Sequence, residues 1–167
     1  MKYTAKDIAY IGIFSTLVFA ATLINVVIPF APNGGLVHFG TTVGVIALLV
    51  AGPRIGILAG TIGMTMFDIL GGWAIWAPAT LIARYGLGYL MAKFSFGHER
   101  AGNNLSYNLI GLVIGGLWMI FIYYVYEALL YHNLITPIAS ISANVLQLVL
   151  AAIIGLPLSI ALKKIIK

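Results

Sequence analysis

Apolar runs fill this chain almost from end to end, broken at a few polar or Gly/Pro positions, and they dictate the solvent. Of its 167 residues, 62% are apolar, while nine basic and four acidic side chains are all the fixed charge it carries. So few charges cannot coat a soluble domain of this length, and the chain therefore needs lipid around it. About 20 residues cross the hydrocarbon layer, and fewer suffice where a bundle thins or tilts. On that measure the breaks predict six helices: Asp7 to Ile28, His38 to Ala51, Arg54 to Leu70, Pro78 to Lys93, Ser106 to Tyr131 and Ile138 to Leu162. Asp7 suits a helix N-terminus, Pro29 stops the first helix, Gly52-Pro53 makes a turn, and Pro78 fits a first helical turn. The first run is too long for a signal peptide and is read as a retained helix. The expected fold is an all-α integral membrane protein, a six-helix transmembrane bundle forming one domain over residues 1–167.

An even number of spans puts both termini on one side. That side carries Lys2, Lys6, Arg54, Lys93, Arg100, Lys163, Lys164 and Lys167, whereas the opposite loops, 29–37, 71–77 and 132–137, hold no Lys or Arg. The positive-inside rule then places the N- and C-termini in the cytoplasm. The ninth basic residue, Arg84, falls inside the fourth helix.

Several functions are excluded by inventory. No cysteine is present, so disulfides, thiolate catalysis and Cys-ligated metals are out. Basic residues at segment ends are explained by topology, and no nucleic-acid partner is expected. The chain has no His-Glu-x-x-His, no Gly-x-Ser-x-Gly and no Gly-x-x-x-x-Gly-Lys-Ser/Thr loop. It reads as a non-enzyme that needs neither cofactor nor metal, and any transport it performs must draw energy from a partner or an ion gradient. Gly40 and Gly44, Gly56 and Gly60, and Gly111 and Gly115 are each four apart, a spacing that lets helix backbones approach closely in lipid.

A charge at the centre of a lipid-embedded helix costs roughly 2.5–3.5 kcal/mol on insertion scales, so each needs a partner or a task. Asp68, Arg84 and Glu127 all fall in the outer half, Arg84 roughly 9 Å below Pro78 at about 1.5 Å per residue. Polar neighbours share their faces: Thr61 and Thr65 lead to Asp68, Tyr123 and Tyr131 flank Glu127, and Ser140, Asn144 and Gln147 follow helical spacing. Four helices thus turn polar groups inward at similar depth, with Trp73, Trp76, Tyr123 and Tyr131 as aromatic walls. Such an arrangement predicts a small polar pocket that opens outward. Two plainer readings stand beside it: Arg84 neutralised by Asp68 or Glu127, and polar ladders acting as glue between helices.

The stretch from Phe67 through Asp68-Ile69-Leu70-Gly71-Gly72-Trp73-Ala74-Ile75-Trp76-Ala77 to Pro78, followed by Thr80-Leu81-Ile82-Ala83-Arg84, resembles the S components of energy-coupling factor (ECF) vitamin transporters. The likeness is to the riboflavin-type family, nearest to its hydroxymethylpyrimidine and pyridoxine members. It implies a multi-pass protein of a bacterial plasma membrane that binds a vitamin or precursor outside and works with a membrane coupling subunit and two ABC ATPases. It also implies a site from the first outer loop and the last three helices. That agrees with Asn33, Trp76, Arg84, Tyr123, Glu127, Asn144 and Gln147 as substrate-binding residues. The family's first helix docks on the coupling subunit through small residues, a role that falls here to Ala9, Gly12, Thr16 and Ala20, although the strict Ala-x-x-x-Ala pattern is absent. Hydroxymethylpyrimidine or pyridoxine suits aromatic stacking with hydrogen bonds to amides and charges. The alternatives are another vitamin such as riboflavin, or a small carrier driven by an ion gradient through Asp68 and Glu127.

Because the chain lacks native cysteine, its topology can be read with single substitutions. Ile135→Cys is expected to react with a membrane-impermeant maleimide in intact cells, and Arg100→Cys after permeabilisation alone.

Overall fold

The computed structural model describes residues 2–27 and 35–166. Among them are six helices: α1 (Ala5–Leu23), α2 (Gly40–Ala51), α3 (Pro53–Leu70), α4 (Ala77–Phe96), α5 (Leu105–Tyr131) and α6 (Ile138–Ile166). A two-stranded hairpin, β1 (Asn25–Val27) and β2 (Leu36–His38), joins α1 to α2. By length and composition α1, α3, α5 and α6 suffice to cross a membrane, and α2 is a shorter apolar helix.

Local chemistry explains most boundaries. Thr4 and Asp7 form a capping box at α1: the Asp7 N–H donates to the Thr4 hydroxyl (3.2 Å), and the Thr4 N–H donates to the Asp7 carboxylate (2.9 Å). Proline occupies the first turn of α3 and of α4, where no donor is lost. The Asn104 side chain accepts the Tyr107 N–H at the start of α5.

Five boundaries depart from the expected ones by two residues or more, among them the start of the first helix, at Ala5 rather than Asp7, and the end of the fourth, which runs on to Phe96 rather than stopping at Lys93. The first helix stops at Leu23 rather than running to Ile28, because the Asn25 side chain donates to the Thr22 and Leu23 carbonyls (3.0 Å each) and so takes over the helix end. The β-branched Val26 and Val27 then pair as a strand, in antiparallel register Asn25 to His38, Val26 to Val37 and Val27 to Leu36. The second helix starts at Gly40 rather than His38, whose Nδ1 accepts the Gly40 N–H (3.1 Å). The sixth continues beyond Leu162 and contains a π-type turn over Ala151–Gly155, in which the Leu156 N–H donates to the Ala151 carbonyl. Pro157, lacking an N–H and crowding the carbonyl four residues back, favours that widened turn. Ile28, Pro29 and Asn33 lie outside the described residues.

The glycine pairs serve packing within the bundle. A Cβ at Gly56 would sit 2.2 Å from the Leu48 Cα, and Cβ atoms at Gly111 and Gly115 would sit 2.8 Å and 2.6 Å from the Met91 and Leu87 carbonyl oxygens. α3 thus rests on α2, and α5 on α4, with backbones nearly touching. Apolar side chains fill the rest: Val45, Leu48, Leu49, Met91, Leu112 and Leu156 form one cluster, and Ala79, Ala83, Leu87, Met119 and Tyr123 another.

The bundle has two distinct ends. At one, Arg54 bonds the Lys2 carbonyl and pairs with Asp7 (3.5 Å), while Lys163 bonds the Ala101 carbonyl. These contacts gather both ends of the chain with the α2–α3 turn and the α4–α5 loop. The hairpin, the α3–α4 turn and the α5–α6 connection lie at the other.

Gly56→Ala is expected to destabilise the bundle by about 1–3 kcal/mol through overpacking. Gly12→Ala, with nothing within 4 Å of the added Cβ, is expected to be neutral or mildly stabilising. Reversible unfolding in mixed micelles measures both.

Candidate functional site

At the hairpin end the helices leave a cavity with about 540 Å³ of empty space, counted out through its mouth. Its walls come from β2 (Leu36, His38), the end of α3 and the following turn (Asp68, Trp73, Trp76), α4 (Thr80, Arg84), α5 (Tyr123, Glu127) and α6 (Ser140, Ala143, Asn144, Gln147), with Gly35 beside β2. Six residues singled out from the sequence, Trp76, Arg84, Tyr123, Glu127, Asn144 and Gln147, are brought together around it. The seventh, Asn33, lies outside the described residues.

Arg84 is 4% exposed. Its Nη1 donates to the Thr41 hydroxyl (2.7 Å) and to the Met119 sulfur (2.9 Å), and its Nη2 donates to Gln147 Oε1 (3.1 Å). The guanidinium also lies 5.6 Å from the centroid of the Tyr123 ring. Among the described residues it forms no ion pair with Asp68 or Glu127; Arg54 and Asp7 make the pair that exists. The simple reading of Arg84 as half of a buried salt bridge therefore fails. Its charge is spread over neutral acceptors from three helices, and the carboxylates have other surroundings.

Glu127 accepts the Ser140 hydroxyl (2.7 Å), and the Asn144 side chain donates to the Ser140 carbonyl (3.1 Å). Spacings of four and three residues put Ser140, Asn144 and Gln147 on one face of α6, which turns to the cavity. Thr80, one turn before Arg84, shares a hydrogen bond with the Tyr123 hydroxyl (2.8 Å). Asp68 stands beside them, and its buried Oδ2 has no hydrogen-bond partner among the described residues. Trp76 packs against Tyr126 and Tyr131, with ring centroids 5.8 Å and 6.3 Å away, and Tyr126 donates to the Ile75 carbonyl. These contacts steady the indole at the mouth.

Three expected members lie off the cavity wall, Tyr131 being exposed and packed on Trp76 from outside the lining. The Thr61 hydroxyl turns back to the Ile57 carbonyl (2.8 Å), and Thr65 is buried away from the cavity. Conversely, sequence reasoning missed Thr41, Thr80 and Met119. Thr80 was detectable, four residues before Arg84 on the same helix face. Thr41 and Met119 carried no signal, since their role appears only when α2 and α5 pack on α4. On α1, Ala9, Gly12, Thr16 and Ala20 are all exposed, while Ser15, Val18 and Thr22 face inward.

The family model described as "ECF-type riboflavin transporter, S component" matches residues 2–164. The chain belongs to this family. It is thus the substrate-binding subunit of an ECF transporter, a transport protein rather than an enzyme, and a multi-pass membrane protein. A relative from Pyrococcus woesei, described as an uncharacterized protein in a gap 3' region, is 30% identical over 143 residues, covering 86% of this chain and 93% of that one. A solved structure described as the S component of a bacterial ECF transporter superposes with a TM-score of 0.78, covering 97% of this chain and 98% of that one at 20% identity. That likeness shows the fold.

The S component's Thr80–Tyr123 contact can be isolated by a double-mutant cycle. Thr80→Val and Tyr123→Phe are expected to couple by about 1 kcal/mol in unfolding free energy.

Proposed function

We propose that this S component captures a single-ring heteroaromatic vitamin or precursor, hydroxymethylpyrimidine or pyridoxine, outside the cell and delivers it with a membrane coupling subunit and two ABC ATPases. The observation that carries the solute class is the cavity's charge balance: one arginine, its two Nη atoms engaged by neutral acceptors, shares the wall with two carboxylates. A ring bearing amino or hydroxyl donors complements Asp68 and Glu127, whereas a polyanion meets repulsion. Trp76 and Tyr123 offer faces for stacking. Riboflavin, for which the matching family model is named, is the competing solute.

Orientation follows from the basic residues. With the Lys2, Arg54, Arg100 and Lys163 end in the cytoplasm, the cavity opens outward. Dependence on partners rests on the absence of a nucleotide-binding loop. Docking on the coupling subunit falls to the exposed small-residue face of α1. There the Thr16 hydroxyl donates to the Gly12 carbonyl (3.0 Å), leaving a shallow surface for a partner helix to approach. The carrier driven by an ion gradient is kept as the second reading because Asp68 and Glu127 share the cavity.

Titration of the purified protein with hydroxymethylpyrimidine, pyridoxine and riboflavin, followed by tryptophan fluorescence and calorimetry, is expected to give binding of a single-ring solute. Arg84→Ala and Glu127→Ala should weaken it at least tenfold. Unchanged affinity in folded variants removes both residues from the site, and binding of riboflavin alone overturns the solute class. In liposomes, uptake is expected with the coupling subunit and ATPases present and ATP supplied; concentrative uptake by the chain alone favours the gradient-driven carrier.

A further inference from the structure

Gln147 lies at the cavity wall, yet its amide is engaged with the protein itself. It is 3% exposed. Its Oε1 accepts both the Thr41 hydroxyl (2.7 Å) and Arg84 Nη2 (3.1 Å), and its Nε2 donates to the Leu36 carbonyl (2.8 Å). The orientation of the amide is fixed by its partners: a guanidinium can only donate and a backbone carbonyl can only accept, so a flipped amide would lose both bonds.

Leu36 begins β2, and Thr41 sits in the first turn of α2. One side chain on α6 therefore grips the segment 36–41 at both ends. Between them His38 lines the cavity, its Nδ1 held by the Gly40 N–H and its ring 6.4 Å from that of Phe67. We propose that Gln147 is a positioning residue that straps the β2 wall of the cavity to Arg84, so that the hairpin and the guanidinium hold each other in place. A displacement of Arg84 reaches Leu36 through this amide, and opening of the hairpin loosens Arg84 in turn. The strap concerns the cavity's walls and stands on no particular solute, so it is testable apart from the transport reading.

Gln147→Glu separates the two ends of the strap. A carboxylate still accepts from Thr41 and Arg84, but it has no proton for Leu36 and faces that carbonyl with like charge. Gln147→Leu removes all three bonds. Hydrogen–deuterium exchange, followed by mass spectrometry on the solute-free protein in detergent micelles, reads the consequence, with Ser142→Ala on the exposed side of α6 as control. Gln147→Glu is expected to speed exchange about fivefold in peptides covering 35–41, the effect of losing one net hydrogen bond, while the helices and the control stay unchanged. Gln147→Leu should add faster exchange around Arg84. Unchanged exchange at 35–41 in both variants overturns the strap. Equal acceleration in every helix of Gln147→Glu also overturns it, because Gln147 would then be a general packing residue.

Discussion

A guanidinium buried inside a lipid-embedded bundle is costly unless its neighbours supply acceptors or a counter-charge at close range. Arg84 obtains acceptors from three helices at once: Thr41 of α2, Met119 of α5 and Gln147 of α6. The sulfur is a weak acceptor, and the face of Tyr123 adds electrostatic support from one side. Because no carboxylate is spent on neutralising it directly, Asp68 and Glu127 remain in the cavity wall. The polarity of the cavity wall thus follows in part from how one cation is held.

That arrangement depends on helices packed close enough for short side chains to meet. Thr41 reaches Arg84 with a single hydroxyl, which requires α2 and α4 to be near neighbours. Gly56 lets α3 approach α2, Gly88 lets α4 approach Ile57 of α3, and Gly115 lets α5 approach α4. Sequence spacing alone could not divide the glycines between internal packing and a surface for a partner. The structure assigns Gly56, Gly111 and Gly115 to packing and leaves Gly12 open on the outer face of α1.

Much of the site was legible because polar residues in apolar runs are conspicuous. Arg84 and Glu127 stood out as charges with no topological reason to be there, and Asn144 and Gln147 shared a helix face with Ser140. What remained hidden depended on contacts between distant segments. Met119 reads as an ordinary apolar residue until α5 sets its sulfur against Arg84. The hairpin was hidden for a different reason: Asn25-Val26-Val27 continues the hydrophobic run of α1, and only the Asn25 side chain, turning back on the Thr22 and Leu23 carbonyls, ends the helix before the strand. The π turn in α6 likewise lies in an unbroken apolar stretch, where Pro157 was the available clue.

The hairpin also joins two parts of the molecule that the sequence presents as separate. Among the described residues, none of α1 lines the cavity, yet β1 follows α1 almost directly and pairs with β2, whose Leu36 is held by Gln147. Gly40, at the start of α2, packs so closely on Thr22 of α1 that a Cβ there would fall 2.1 Å from the Thr22 hydroxyl. Contacts therefore run from Arg84 through Gln147 and the paired strands to the end of the helix whose outer face carries Ala9, Gly12, Thr16 and Ala20. The paired strands thus lie between the cavity wall and the helix that carries those four small residues.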